Sequence, residues 1–267
     1  MKVLIIAATA LFLNISQGWC NDLTNQKWWD KDPSWFDFKV ELSKNQDINA
    51  QNSAGITPMM FAAATGHKYL VKWMLQNGAD IEVKDKDGRT ALMYAVNAGD
   101  DEIVKILLDY GAEVNIRTVS EDLTPLMLAA GHGYSKIAMM LLDRGAVVKT
   151  YQKGNGRTVL MYAAESGKRS IIKALIANGA DVNYPDRNDW TALMYAAYNG
   201  HYAAAEYLLW YGAEVNATNM DDDTPLILAS KRGHRNVVEL LIANGADDIT
   251  NVNDVDDFTF LIVGVIL

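Results

Sequence analysis

A block of seven residues recurs six times along the chain at nearly constant spacing. It reads Thr57-Pro-Met-Met-Phe-Ala-Ala, Thr90-Ala-Leu-Met-Tyr-Ala-Val, Thr124-Pro-Leu-Met-Leu-Ala-Ala, Thr158-Val-Leu-Met-Tyr-Ala-Ala, Thr191-Ala-Leu-Met-Tyr-Ala-Ala and Thr224-Pro-Leu-Ile-Leu-Ala-Ser, in steps of 33, 34, 34, 33 and 33 residues. A second landmark keeps pace with it: Gly78-Ala-Asp, Gly111-Ala-Glu, Gly145-Ala-Val, Gly179-Ala-Asp, Gly212-Ala-Glu and Gly245-Ala-Asp. A fixed period of this length is the signature of a repeat architecture. A unit of about 33 residues cannot bury its own apolar stripe. It is stable only when stacked on its neighbours.

Each copy reads as helix, turn, helix and loop. The threonine is placed to cap a first helix by accepting an early backbone N–H. Proline follows it in three copies, where the missing donor costs nothing. Two turns on, Gly66, Gly99, Gly133, Gly167, Gly200 and Gly233 supply the left-handed stop that ends a helix. The second helix carries apolar residues at helical spacing, as in Ile103, Val104, Leu107 and Leu108, and also ends at glycine. Alanine pairs such as Ala196-Ala197 let first helices approach closely.

These motifs resemble the ankyrin repeat, a 33-residue unit with a T-P-L-H-x-A-A signature, over roughly Gln46 to Asp248. The resemblance implies an all-α fold: an ankyrin-repeat solenoid of stacked helix-turn-helix units with β-turn loop fingers. The chain departs from the signature at its histidine, replaced by Met60, Met93, Met127, Met161, Met194 and Ile227. That puts in doubt the hydrogen bonding by which the histidine braces the turn, while methionine fills the space with flexible apolar bulk. In the loops Gly55, Gly88 and Gly156 keep the family glycine, whereas Asp122, Asp189 and Asp222 replace it. Aspartate tolerates left-handed geometry, so the turn is expected to survive.

The organisation expected is a leader over 1–18, an aromatic segment with a half-repeat cap over 19–50, six repeats over 51–250, and a partial repeat or apolar tail over 251–267. Val3 to Leu13 is too short to span a bilayer and fits a secretory signal ending near Gly18, which places the mature chain in the periplasm or outside the cell. Cys20 raises a lipid-anchored envelope scaffold as the alternative, although Trp19 stands where a small residue is expected. Trp28, Trp29, Trp35, Phe36 and Phe38 crowd the front of the stack and suit either a bulky cap or an aromatic partner site. Asp32-Pro33 suits a helix start there, with Phe36, Val40 and Leu42 facing the first repeat. Phe258 to Leu267 begins like another first helix and has no second.

Little in the chain points to catalysis. Lys plus Arg number 24 against 33 Asp plus Glu, a net charge of −9, unsuited to nucleic acid or anionic lipid. One cysteine excludes an internal disulfide framework and a cysteine zinc cage. His67, His201 and His234 share one repeat position and read as structural; an enzyme would need a pocket setting His132 beside acidic residues. Asp85-Lys-Asp87-Gly88 resembles the front of a calcium loop but lacks the remaining ligands, and it and Asp221-Asp222-Asp223 read as solvated acidic turns. No cofactor is implied.

The resemblance implies instead a non-catalytic module that grips a partner protein on a concave surface made of loop tips and first helices. Its variable positions fall here on Lys86, Arg89, Asn97 and Tyr110; on Asn155, Arg157 and Glu165; on Arg187, Asn188, Trp190, Tyr198, Asn199 and Tyr211; and on Asp221, Asp223, Lys231 and Arg232. The fifth copy gathers Trp190, Tyr195, Tyr198, Tyr202, Tyr207, Trp210 and Tyr211, residue types that dominate interface energies. Tyr94, Tyr162 and Tyr195 recur at one first-helix position and suit a stripe along the groove, although an aromatic ladder can also simply cover the core. Tyr207 is expected to pack. The chain is expected to act as a monomer.

Overall fold

In the computed structural model, residues 26–31 and 47–247 are described. The expected leader, Cys20, the half-repeat helix from Asp32 and the apolar tail lie outside them. A short helix α1 (Gln26–Trp29) precedes six helical pairs. The first helices are α2 (Pro58–Ala64), α4 (Ala91–Ala98), α6 (Pro125–His132), α8 (Val159–Glu165), α10 (Ala192–Tyr198) and α12 (Pro225–Lys231). Their partners are α3 (Lys68–Gln76), α5 (Asp101–Asp109), α7 (Ser135–Asp143), α9 (Arg169–Ala177), α11 (Tyr202–Trp210) and α13 (Arg235–Ala243). Each first helix packs on its partner and on the next first helix, and the second helices form a parallel outer layer.

The helix starts follow from the threonines. Thr57, Thr124, Thr158, Thr191 and Thr224 are extended, and each hydroxyl accepts the N–H three residues on at 3.2–3.4 Å. Thr90 has the same backbone but makes no such bond. The doubt over the methionines resolves in their favour at three caps. The sulfur of Met60, Met161 and Met194 accepts the N–H of the capping threonine at 3.3–3.5 Å, so the flexible thioether replaces part of the bracing.

The stops follow from glycine and aspartate. Gly200 sits at φ 71, and a Cβ there would lie 2.6 Å from the His234 ring of the next copy, so both backbone and neighbour demand glycine. Asp122, Asp189 and Asp222 take φ of 55, 60 and 58, the left-handed turn expected of them.

The core is one continuous seam. Ala95, Ala129, Ala130, Ala163, Ala164, Ala196 and Ala197 have no exposed surface, and they bring the first helices together. Ile103, Val104 and Leu107, with Ile171, Ile172 and Leu175, close the seam from the outer layer. Each such side chain contributes about 1.5–3 kcal/mol by leaving water. At the front of the stack Trp29 is 1% exposed, stacking on Phe61 at 6.1 Å and edge-on to His67 at 5.4 Å. Trp29 is thus a capping residue.

Two hydrogen-bond ladders run along the stack and fix its register. Fingertip N–H groups reach the previous finger: Lys86 to Ala54, Val119 to Asp87, Arg187 to Asn155 and Met220 to Asn188, at 2.7–3.1 Å. Lower down, a side-chain oxygen of Asn49, Glu82, Asn115, Asn183 and Asn216 accepts the N–H of Asp80, Glu113, Val147, Glu214 and Asp247 at 2.8–2.9 Å. Register 49 and 80 places residues 47–50 as the loop of a preceding unit.

Candidate functional site

The fingers are shaped by a buried acceptor that the sequence reading missed. The Asp186 carboxylate is 6% exposed. One oxygen accepts the N–H of Asn188 at 2.8 Å and of Trp190 at 3.0 Å; the other accepts the Tyr195 hydroxyl at 2.7 Å. Asp85 does the same for Asp87, Arg89 and Tyr94, and takes the Arg89 Nε at 2.9 Å. Asp85 is therefore no solvated turn residue: its charge is consumed by closing the finger. Asn52 and Asn219 hold their own fingers in the same way. The signal was present as an Asn or Asp five residues before the threonine in the four copies with short fingers.

This bracing decides what the tyrosine stripe presents. Tyr94, Tyr162 and Tyr195 are half-buried, with hydroxyls tied to Asp85, Gln152 and Asp186. Burial pushes the phenols of Tyr94 and Tyr195 well above the ordinary tyrosine range, and for Tyr195 the bond to Asp186 adds to it. Their hydroxyls are therefore spent inside the fold.

The rings join into one run across three copies. The Arg157 guanidinium lies between the rings of Tyr162 and Tyr195, at 4.3 and 4.4 Å, and is paired with Glu165 at 2.5 Å. Trp190 lies against Tyr195 with ring centres 5.0 Å apart, and edge-on to Tyr198 at 5.5 Å. Arg232 of the sixth copy covers Tyr198 at 4.6 Å. The order is Tyr162, Arg157, Tyr195, Trp190, Tyr198, Arg232. Each cation–π contact is worth about 0.5–2 kcal/mol, which holds the rings in one arrangement before anything binds.

The other expected residues are distributed unevenly. Arg187 and Asn188 are exposed at the fifth fingertip. Asn199 spends its amide on the Tyr195 carbonyl at 2.8 Å, closing α10. Arg89 lies over Tyr94 at 5.4 Å, three copies away from Trp190. Tyr211 stands apart from the run: it caps α11 in the outer layer, with its ring 4.7 Å from Tyr207. Tyr207 is 8% exposed and packs, as expected. Trp210, on the same outer helix, is 84% exposed.

The histidines hold the stack together. His201 and His234 each direct Nε2 at a carbonyl of the previous copy, Glu165 at 2.9 Å and Tyr198 at 3.0 Å, so Nε2 carries the proton and donates. His132 stacks on Tyr134 at 5.3 Å with Asn97 at 3.3 Å, not beside a carboxylate. Among the described residues no group of three or more His, Cys, Asp or Glu is arranged to hold a metal, and no helix is long and apolar enough to cross a membrane.

A profile of three consecutive ankyrin repeats matches residues 37–118 and 126–219, and a single ankyrin-repeat profile matches 221–257. The chain belongs to the ankyrin-repeat family. Among solved structures it is similar to the ankyrin repeat domain of Bcl-3, described as a unique member of the IkappaB protein family. The TM-score is 0.63 and the identity 24%, over 85% of this chain and 100% of that one. At that identity the likeness is one of fold. No curated protein matches the chain. Ankyrin repeats are protein-interaction modules, and this chain is built of them.

Proposed function

We propose that the chain is a non-catalytic binding module that seats a partner protein on the concave face of its fourth to sixth copies. The observation that carries this reading is the run from Tyr162 to Arg232. It is a preset array of aromatic rings held in place by guanidinium groups, built of the residue types most often responsible for binding energy. Arg187 and Asn188 extend it at the fingertip, while Arg89 and Tyr94 repeat the same pairing in the second copy. The partner is a protein rather than nucleic acid, which a charge of −9 disfavours. A monomer acting outside the cytoplasm fits the leader-like first 18 residues, with membrane attachment only if Cys20 carries lipid.

The test pairs Trp190→Ala with Tyr198→Ala. Capture of the partner should weaken at least 100-fold while the helical circular-dichroism spectrum stays unchanged. Trp210→Ala, on the outer layer, should leave capture as it was. Undiminished capture by the double variant rejects this surface.

A further inference from the structure

The lower ladder breaks at one step. Its residue between Asn115 and Asn183 is Lys149, which has no oxygen to offer. The N–H of Asp181, which that oxygen would have met, has no acceptor among the described residues, and Lys149 makes no ion pair there. The Lys149 side chain instead lies along Gly179, its Cε 3.3 Å from where a Cβ would stand.

The break coincides with a cavity of about 310 Å³ lined by Val148, Lys149, Leu160, Ala180, Asp181 and the rings of Tyr151 and Tyr184. The finger beside it is one residue longer than those of the first, second, fifth and sixth copies, and Tyr151 bridges to Thr158 across its base. The two tyrosine rings are nearly parallel, 6.1 Å between centres and 16° between planes, and are 49% and 39% exposed. The site thus holds a stacked tyrosine pair and an apolar floor of Val148, Leu160 and Ala180, with Lys149 and Asp181, whose N–H has no acceptor among the described residues, in its lining. The volume lies at the lower end of small-molecule pockets.

We propose that this cavity binds a free aromatic α-amino acid. The ring packs against the exposed side of the Tyr151–Tyr184 pair, the carboxylate meets Lys149 and the Asp181 N–H, and the ammonium meets the free oxygen of the Asp181 carboxylate. An aromatic anion alone would face the Asp181 charge, and an aromatic cation alone would face Lys149. Only a zwitterion satisfies both. None of these residues belongs to the run from Tyr162 to Arg232.

Titration calorimetry with L-phenylalanine, run beside phenethylamine and 3-phenylpropionate, tests this on the intact chain. Saturable binding of L-phenylalanine is expected, at least tenfold tighter than either analogue. Lys149→Asn, which restores the ladder acceptor and removes the cation, should weaken L-phenylalanine at least tenfold. Asp181→Asn keeps an oxygen for the Asn183 N–H, now accepted by Asp181 Oδ1 at 3.0 Å. It should weaken L-phenylalanine about tenfold without weakening 3-phenylpropionate. No saturable heat with wild-type protein overturns the proposal, as does equal binding by correctly folded Lys149→Asn protein or a preference for either analogue.

Discussion

Asp186 shows how one side chain sets a whole finger. Its two oxygens serve two backbone N–H groups and one phenol, all partly shielded from water. Asp186→Ala should therefore cost about 1–3 kcal/mol, read as a lower urea midpoint. Asp186→Asn should cost under about 1 kcal/mol, because Asn52 and Asn219 already hold their fingers with an amide oxygen. His132 gives a prediction in pH. Burial lowers its pKa below the ordinary 6.5, so the folded chain favours the neutral ring. Its contribution is complete above that value and is lost as pH falls through the lowered one. The unfolding midpoint should drop on acidifying below about 6.5, and His132→Asn should flatten the early part of that drop.

Among the elements, the helix pairs were legible because their stops and starts are local chemistry: threonine caps, glycine and aspartate turns, and alanine where helices touch. The finger interiors were not. A charged residue such as Asp85 reads as a surface group until its partners Arg89 and Tyr94 are seen to fold back on it. The order of rings from Tyr162 to Arg232 was also hidden, since it depends on how far each copy turns relative to the last. Tyr211 was counted with the groove because it precedes a glycine, yet its cap geometry sends it to the outer layer. The broken ladder step makes an independent prediction. Lys149→Asn should stabilise the stack by about 0.5–1.5 kcal/mol by giving the Asp181 N–H an acceptor, as Asn115 does for Val147. A higher melting temperature would show it.

For the molecule as a whole, stability resides in the interfaces between neighbours. Leu107 is fully buried where α5 meets the rest of the stack, and Leu107→Ala should cost about 2–5 kcal/mol. Hydrogen exchange should quicken first in the copies that flank it. The same stacking carries the arginines and aromatic rings of separate copies into one surface. Hydrogen exchange on the partner-bound chain tests that surface most directly. Slowed exchange is expected at residues 187–190 and in α10, with α11 unchanged. Slowing confined to α11 around Trp210, with residues 187–198 unaffected, would contradict it.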